Sequence, residues 1–184
     1  MQSLERAFAE GHSVENAAVE LKTLRMASNV DLRKVREAVV AAIVERIPLL
    51  QGDSVGQRRE IAQVVERWGP LINLIGGIDP VETVEVLQVR DRNSSVRNGA
   101  DSLLLQYHCA KSTRLQLFGP ILAALYQDDI VDEDDIREWH ASPAAKGEGV
   151  KSTSVLEAAR YCWVVGQKMI EQFDAQESEE SDEE

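Results

Sequence analysis

The chain has 184 residues, of which 43% are hydrophobic, and a formal net charge of −12. That length and composition fit one folded unit with a sizeable core and exclude wholesale disorder. No apolar run reaches the roughly eighteen residues of a membrane-spanning helix, and the N-terminus lacks a secretion signal, so we expect a soluble, cytoplasmic protein without membrane contacts.

The negative charge is concentrated in two segments. Residues 128–138 hold seven carboxylates and one Arg, and residues 171–184 hold eight carboxylates and no base. Together they contain 15 of the 32 acids, and subtracting their net −6 and −8 from −12 leaves the other residues at +2. Such local fields attract a basic protein partner and disfavour nucleic acid.

Apolar residues recur at helical spacing along the chain, and no sustained two-residue alternation indicates strands. Ser3 caps a first predicted helix, which stops at Gly11, and Ser13 caps a second one with an apolar stripe from Val14 to Leu24 and an end near Asn29. Asp31 caps a third helix, which Pro48 prevents from continuing. Further predicted helices cover Ser54 to Trp68, Pro70 to Ile75, Pro80 to Asp91, Val96 to Ala110, Leu115 to Tyr126, Glu133 to His140 and Ser154 to Phe173.

About ten short helices with short connections predict an all-α fold. Because each amphipathic helix must cover its apolar stripe with the next, we expect a HEAT-like array of antiparallel helix pairs, with an irregular bundle as the alternative. Residues 1–174 would form this single domain, with a long loop from Ser142 to Ser152. Residues 175–184 would form a flexible, disordered acidic tail.

Residues suited to bond-breaking chemistry are scarce in this sequence. His12, His108 and His140 have no metal-ligand spacing, and Cys109 and Cys162 form no CxxC pair. The sequence from Gly147 to Thr153 does not meet the phosphate-loop pattern. We therefore expect no metal and no cofactor, with both cysteines as reduced core thiols.

The helix from Val14 to about Ala27 carries a second candidate surface. At 100° per residue, Asn16, Glu20, Thr23 and Ala27 share an outer face opposite the apolar stripe. No Lys or Arg lies three or four residues from Glu20, so no ion pair within the helix is predicted for it. Periodicity alone favours an ordinary solvated surface glutamate at position 20, and Arg25 is expected to pack its stem near the apolar stripe.

Three features together resemble a known family. They are the run from Val19 to Val30 (VELKTLRMASNV), the run from Leu125 to Ile136 (LYQDDIVDEDDI) with Trp139, and the terminal acids. In this order they resemble the C-terminal domain of the epsilon subunit of eukaryotic translation initiation factor 2B. The acidic-aromatic boxes also occur in initiation factor 5, whereas the first run is more specific to epsilon.

The resemblance implies a HEAT-like domain that catalyses GDP release from initiation factor 2, whose gamma subunit is the GTPase and whose beta subunit offers lysine-rich blocks. It assigns the exchange role to Glu20, and we place Thr23 and Ala27 in the same partner-binding face. The first acidic box would comprise Tyr126, Asp128, Asp129, Asp132, Glu133, Asp134, Asp135 and Trp139. The second would comprise Glu177, Glu179, Glu180, Asp182, Glu183 and Glu184. The family tryptophan before the terminal acids is replaced here, and Phe173 is expected to fill its aromatic role.

Two other functions fit parts of the pattern. A non-catalytic binding module similar to the C-terminal domain of initiation factor 5 would share the acidic boxes without needing Glu20, and a plain scaffold would use its acids only for solubility. The nucleotidyltransferase-like region and β-helix of a full epsilon subunit cannot fit in this length. We therefore expect a fragment or excised domain, which in the full-length protein would also contact other factor 2B subunits.

Overall fold

A computed structural model of the chain describes residues 10–75, 83–84 and 112–181, with the backbone alone after residue 176. Within these residues the secondary structure is helical and contains no strand. The helices are α1 (Val14–Ser28), α2 (Leu32–Arg46), α3 (Ser54–Trp68), α4 (Pro70–Leu74), α5 (Ser112–Leu115), α6 (Phe118–Gln127), α7 (Glu133–Ala141) and α8 (Thr153–Ser181). The all-α prediction is confirmed, whereas the number of helices and the HEAT-like stacking stay predictions.

Local capping explains most of the helix boundaries. The Ser13 hydroxyl accepts a hydrogen bond from the Asn16 amide at 3.3 Å, and the chain leaves α1 at Asn29 with a left-handed φ of 49°. Asp31 accepts from the Arg33 amide at 2.9 Å to begin α2. These side chains satisfy amide groups that have no partner inside the helix, so the predicted starts of α1 and α2 are confirmed.

Helices α3, α4 and α7 begin where the sequence predicted. Asp53 caps α3 through the Gly56 amide at 2.7 Å, and Pro70 occupies the first turn of α4. The predicted helices from Ser3 to Gly11, Pro80 to Asp91 and Val96 to Ala110 lie largely outside the described residues. Thr83 and Val84, which are described, are helical and buried.

Two predicted helices have different bounds in the structure. The segment from Leu115 to Tyr126 is not one helix, because α5 ends at Leu115 and α6 begins at Phe118. Pro120 then lies in the first turn of α6, where its missing amide hydrogen costs no helical hydrogen bond. Helix α8 was expected to end at Phe173 but continues to Ser181, so the expected disordered tail is helical over residues 175–181.

The extension of α8 has a simple physical reason. Residues 174–181 contain no Gly or Pro, and Glu, Gln and Ala are good helix formers. Repulsion between like charges one turn apart costs only a few tenths of a kcal/mol per pair, which is too little to end a helix. The domain boundary at residue 174 stays a prediction.

One apolar core extends through the described structure, from α1 to α8. Helix α1 packs on α2 and α4, α3 packs on α2, α4 and α6, and α8 packs on α6 and α7. The side chains that fill the core come from nearly all of these helices, and the largest fully buried ones include Ile47, Ile61, Leu71, Phe118, Leu122, Ile136 and Trp139. Cys162 is buried in the core, as predicted, and Cys109 lies outside the described residues.

Candidate protein-binding surfaces

The outer face of α1 consists of Asn16, Val19, Glu20, Thr23, Met26 and Ala27. Ala17, Ala18 and Leu21 on the opposite side are buried against α2 and α4, which fixes the direction in which the outer face points. Leu24, predicted to belong to the buried stripe, is instead 40% exposed, because it lies at the edge of that stripe. The grouping of Asn16, Glu20, Thr23 and Ala27 on one side of the helix follows from its regular geometry.

The six side chains of this face differ in exposure. Glu20 is half-buried and takes part in an interaction with its surroundings, whereas Thr23 and Ala27 are exposed. The Thr23 hydroxyl donates to the Val19 carbonyl at 2.8 Å and is thereby held against the helix. Glu20 is therefore a partly ordered carboxylate rather than a fully solvated one.

The outer face also presents apolar area that the sequence interpretation did not single out. Val19 is 63% exposed and Met26 is 75% exposed, seven residues apart on the same side of α1. Their spacing was visible in the sequence, but only the structure shows that both side chains are exposed. Exposed apolar side chains beside a carboxylate are typical of a protein-binding surface.

The acids of the first acidic box begin in the turn between α6 and α7. Asp128 and Asp129 are exposed, with Asp129 at a left-handed φ of 55°, while the next residues Ile130 and Val131 are buried. The Ile130 amide donates to the Leu125 carbonyl at 2.9 Å. The turn is thus held by its apolar residues and directs its two acids outward.

A carboxylate from another helix contributes to this acidic turn. Partial burial raises the pKa of Asp128, and the neighbouring negative charges of Glu66 on α3 and of Asp129 raise it further. Glu66 is 62 positions earlier in the sequence, so no spacing pattern could have assigned it to the box. The acidic surface therefore extends from the α6–α7 turn onto α3.

Two acids of the first box are used for capping. The Asp135 amide donates to Asp132 Oδ1 at 2.8 Å, and the Asp132 amide donates to Asp135 Oδ2 at 2.8 Å. This reciprocal arrangement is a capping box that begins α7. Asp132 and Asp135 therefore have a structural role, and the exposed Asp134 between them is directed to solvent.

Arg137 is the one cation among residues 128–138, and it bridges two helices. Its guanidinium pairs with Glu133 one turn earlier in α7 and with Asp174 Oδ1 of α8 at 2.6 Å. These hydrogen bonds raise the pKa of Arg137, the one to Asp174 most strongly. Glu133 is thus partly neutralised within the protein, which reduces its availability to a basic partner.

Trp139 lies in the core and not on the acidic surface. It is 0% exposed, and its ring centroid is 5.6 Å from that of Phe118. A Cβ atom placed on Gly166 would lie 2.4 Å from the indole, so α8 approaches the ring as closely as a glycine allows. The indole is therefore buried in this structure and could reach a partner only if the core repacked, and its assignment to the partner-binding box stays a prediction.

Tyr126 and Phe173 form a second aromatic contact, between α6 and α8. Their ring centroids are 4.9 Å apart, Phe173 is buried, and Tyr126 is half-buried. Phe173 therefore supplies an aromatic ring before the terminal acids, and in this structure that ring packs between α6 and α8. The nearby Trp163 instead stacks on His140 at 4.4 Å and donates its indole N–H to the His140 carbonyl at 3.0 Å.

The second acidic box is described only in part. Glu177, Glu179 and Glu180 lie on the last turns of α8, and Asp182, Glu183 and Glu184 lie outside the described residues. Because Phe173 is buried and Asp174 pairs with Arg137, the start of this acidic segment is fixed against α6 and α7. Glu177 and the acids that follow it on α8 are therefore carried by a helix that the core holds in place.

Metal-ligand clusters and membrane-spanning helices are both absent from residues 10–75, 83–84 and 112–181. No group of three or more His, Cys, Asp or Glu side chains there is placed to bind a metal ion. None of the helices in this part of the chain combines the length and apolar content needed to cross a bilayer.

Comparison with known proteins gives matches that include one protein family and one translation factor. Residues 102–183 match the family described as W2: eIF4-gamma/eIF5/eIF2-epsilon. The protein "Translation initiation factor eIF2B subunit epsilon" of Schizosaccharomyces pombe is 36% identical over 149 residues, which cover 80% of this chain. The chain spans only 19% of the length of that relative.

Proposed function

This chain belongs to the family of the C-terminal domain of the eIF2B epsilon subunit, and from that membership we propose that it acts as a guanine-nucleotide exchange domain that promotes GDP release from initiation factor 2 in the cytoplasm. The 36% identity to an epsilon subunit over 80% of the chain is the observation that carries this proposal. No covalent chemistry is required, since exchange depends on binding alone.

The acidic surfaces would dock the lysine-rich blocks of the beta subunit. Asp128, Asp129 and Asp134 are exposed, whereas Asp132, Asp135 and Glu133 are engaged in structural bonds. Exposed ion pairs contribute roughly 0–1 kcal/mol each, and micromolar affinity requires about 8 kcal/mol. The first box alone is therefore insufficient, which favours joint docking by both boxes.

The outer face of α1 would act on the GTPase of the gamma subunit. An exchange factor must bind the nucleotide-free GTPase more tightly than the GDP-bound form, because the two binding events weaken each other reciprocally. Val19 and Met26 offer apolar contact area beside Glu20. In this proposal Glu20 competes for the magnesium ion, a phosphate-binding lysine or a switch segment, while the surrounding residues provide affinity.

The division of roles is tested by measuring release of labelled GDP from initiation factor 2. Glu20→Ala should abolish most of the acceleration while retaining the fold and much of the affinity. Deletion of the residues after Asp174 should mainly weaken affinity, since Phe173 and the Arg137–Asp174 pair are retained.

A matched control is available on α3. Glu60 is also a half-buried helical glutamate, and Glu60→Ala should leave release unchanged. If Glu20→Ala accelerates release as well as wild type does, Glu20 is not part of the exchange site.

A non-catalytic binding module is the second candidate, and the match of residues 102–183 to a family that includes eIF5 favours it. Such a module would bind lysine-rich peptide through the same acidic residues. It would not accelerate GDP release at any concentration, so the release assay separates the two functions.

A further inference from the structure

Arg114, on the short helix α5, makes a long-range contact with the end of α2. Its Nη1 donates to the Val44 carbonyl at 2.7 Å and to the Ile47 carbonyl at 3.3 Å. These acceptors are 70 and 67 positions away in the sequence. The last carbonyls of a helix have no partner within the helix, and a cation there also interacts favourably with the helix dipole.

The contact connects the parts of the molecule that carry the two proposed activities. Helix α2 packs on α1, which bears Glu20. On the other side, the Arg114 carbonyl accepts a hydrogen bond from the Leu117 amide at 2.9 Å. Leu117 immediately precedes α6, and α6 leads to the acidic turn. A single side chain thus joins the end of α2 to the start of the segment that leads to Asp128.

A second junction between the same parts lies elsewhere. Helix α3 packs on α6, and a Cβ atom on Gly69 would lie 3.3 Å from the Ile130 side chain. The Arg114 hydrogen bonds supply a point of attachment separate from this packing, at the end of α2.

We propose that Arg114 is a positioning residue for nucleotide exchange, an inference that rests on the proposed function. It holds the α1–α2 pair at a fixed orientation to the acidic surfaces, so that a factor bound through its lysine blocks presents its GTPase to Glu20. Arg114 does not touch the partner in this scheme. Loss of the Arg114 side chain should therefore slow GDP release without weakening docking.

The test compares Arg114→Met with wild type in the full chain. Methionine retains much of the apolar stem and removes the donors. We expect the maximal rate of GDP release from initiation factor 2, at saturating protein, to fall about tenfold or more, since small misplacements of a functional group have effects of that size. Affinity for a synthetic oligolysine peptide should stay within about twofold, because the acidic residues are unchanged.

Arg58→Met is the matched control. The Arg58 Nε also donates to a carbonyl, that of Ser54 at 3.3 Å, but within its own helix. We expect wild-type release from this variant. Arg114→Lys should recover part of the maximal rate, because lysine keeps the charge at the helix end but lacks the planar fork of donors.

Three outcomes decide the matter. Wild-type maximal release from Arg114→Met, at equal folded fraction measured by circular dichroism, overturns the inference. A parallel fall in release and peptide affinity, in proportion to the loss of folded protein, also overturns it and leaves Arg114 with a structural role alone. Absence of release with wild-type protein instead refutes the proposed exchange function and takes this inference with it.

Discussion

Trp139 and His140 are neighbours in α7 with different surroundings. Trp139 is packed between Phe118 and Gly166, where only its apolar ring matters. His140 stacks on Trp163, and its Nε2 atom is buried without a hydrogen-bond partner in the described part of the chain. Desolvation lowers the pKa of His140, and the positive charge of Lys146 lowers it further. A hydrogen bond with the Trp163 backbone raises the pKa, but the net shift is downward.

Protonation of His140 should therefore destabilise the protein. The unfolded chain takes up the proton near pH 6.5, while the folded chain resists it, so the free energy of unfolding should fall as the pH drops below about 6.5. Measured by urea unfolding between about pH 7.5 and about pH 5.5, His140→Phe should lose less stability than wild type. Equal pH dependence in His140→Phe and wild type would contradict this account.

Capping and pairing within α7 determine which acids of the first box remain for a partner. Asp132 and Asp135 hold the start of the helix, and Glu133 joins Arg137 and Asp174 in a link to α8. The same short segment thus contains carboxylates with structural roles and carboxylates directed to solvent. Removing one acid of each type should separate the effect on stability from the effect on partner binding.

Asp132→Ala should destabilise the protein by about 1 kcal/mol through loss of the helix cap. In thermal unfolding this corresponds to roughly 2–4 °C for a chain of this size. Asp134→Ala removes the same charge without removing a cap, and should leave the melting temperature nearly unchanged while weakening oligolysine binding. Equal melting temperatures for the two variants would show that the capping box does not contribute to stability.

Elements with strong local signals could be predicted from the sequence. Ser13, Asp31, Asp53 and Pro70 mark helix starts that the structure confirms, because capping depends on neighbouring residues. The predicted end of α8 at Phe173 is wrong, because the residues that follow lack apolar surface to bury but are still good helix formers, and repulsion between their acids is weak.

At the scale of the whole molecule, the outer face of α1 and the acidic surfaces belong to different helices of one packed body. The residues that complete them come from distant positions: Glu66 joins the acidic turn, and Arg114 reaches the end of α2. Such contacts depend on tertiary packing and leave no spacing pattern in the sequence. The burial of Trp139 and Phe173 could not be predicted for the same reason, since a motif does not reveal which of its members are buried.

Docking and exchange should therefore respond differently to salt. The Debye length shortens from about 8 Å at physiological ionic strength to about 3 Å at 1 M, which weakens contacts between exposed charges. Raising the salt concentration should increase the amount of protein needed for half-maximal GDP release much more than it lowers the maximal rate. A maximal rate that falls as steeply as affinity would argue against separate surfaces.

The positions of the three tryptophans have a practical consequence. Trp68 and Trp139 are buried, whereas Trp163 is half-buried and stacked on a titratable ring. Intrinsic emission should accordingly contain one component that shifts to the red only on global unfolding and another that is quenched as the imidazole gains its proton. The chain carries its own optical reporters of core integrity and of the α7–α8 contact, and no dye needs to be attached to observe either.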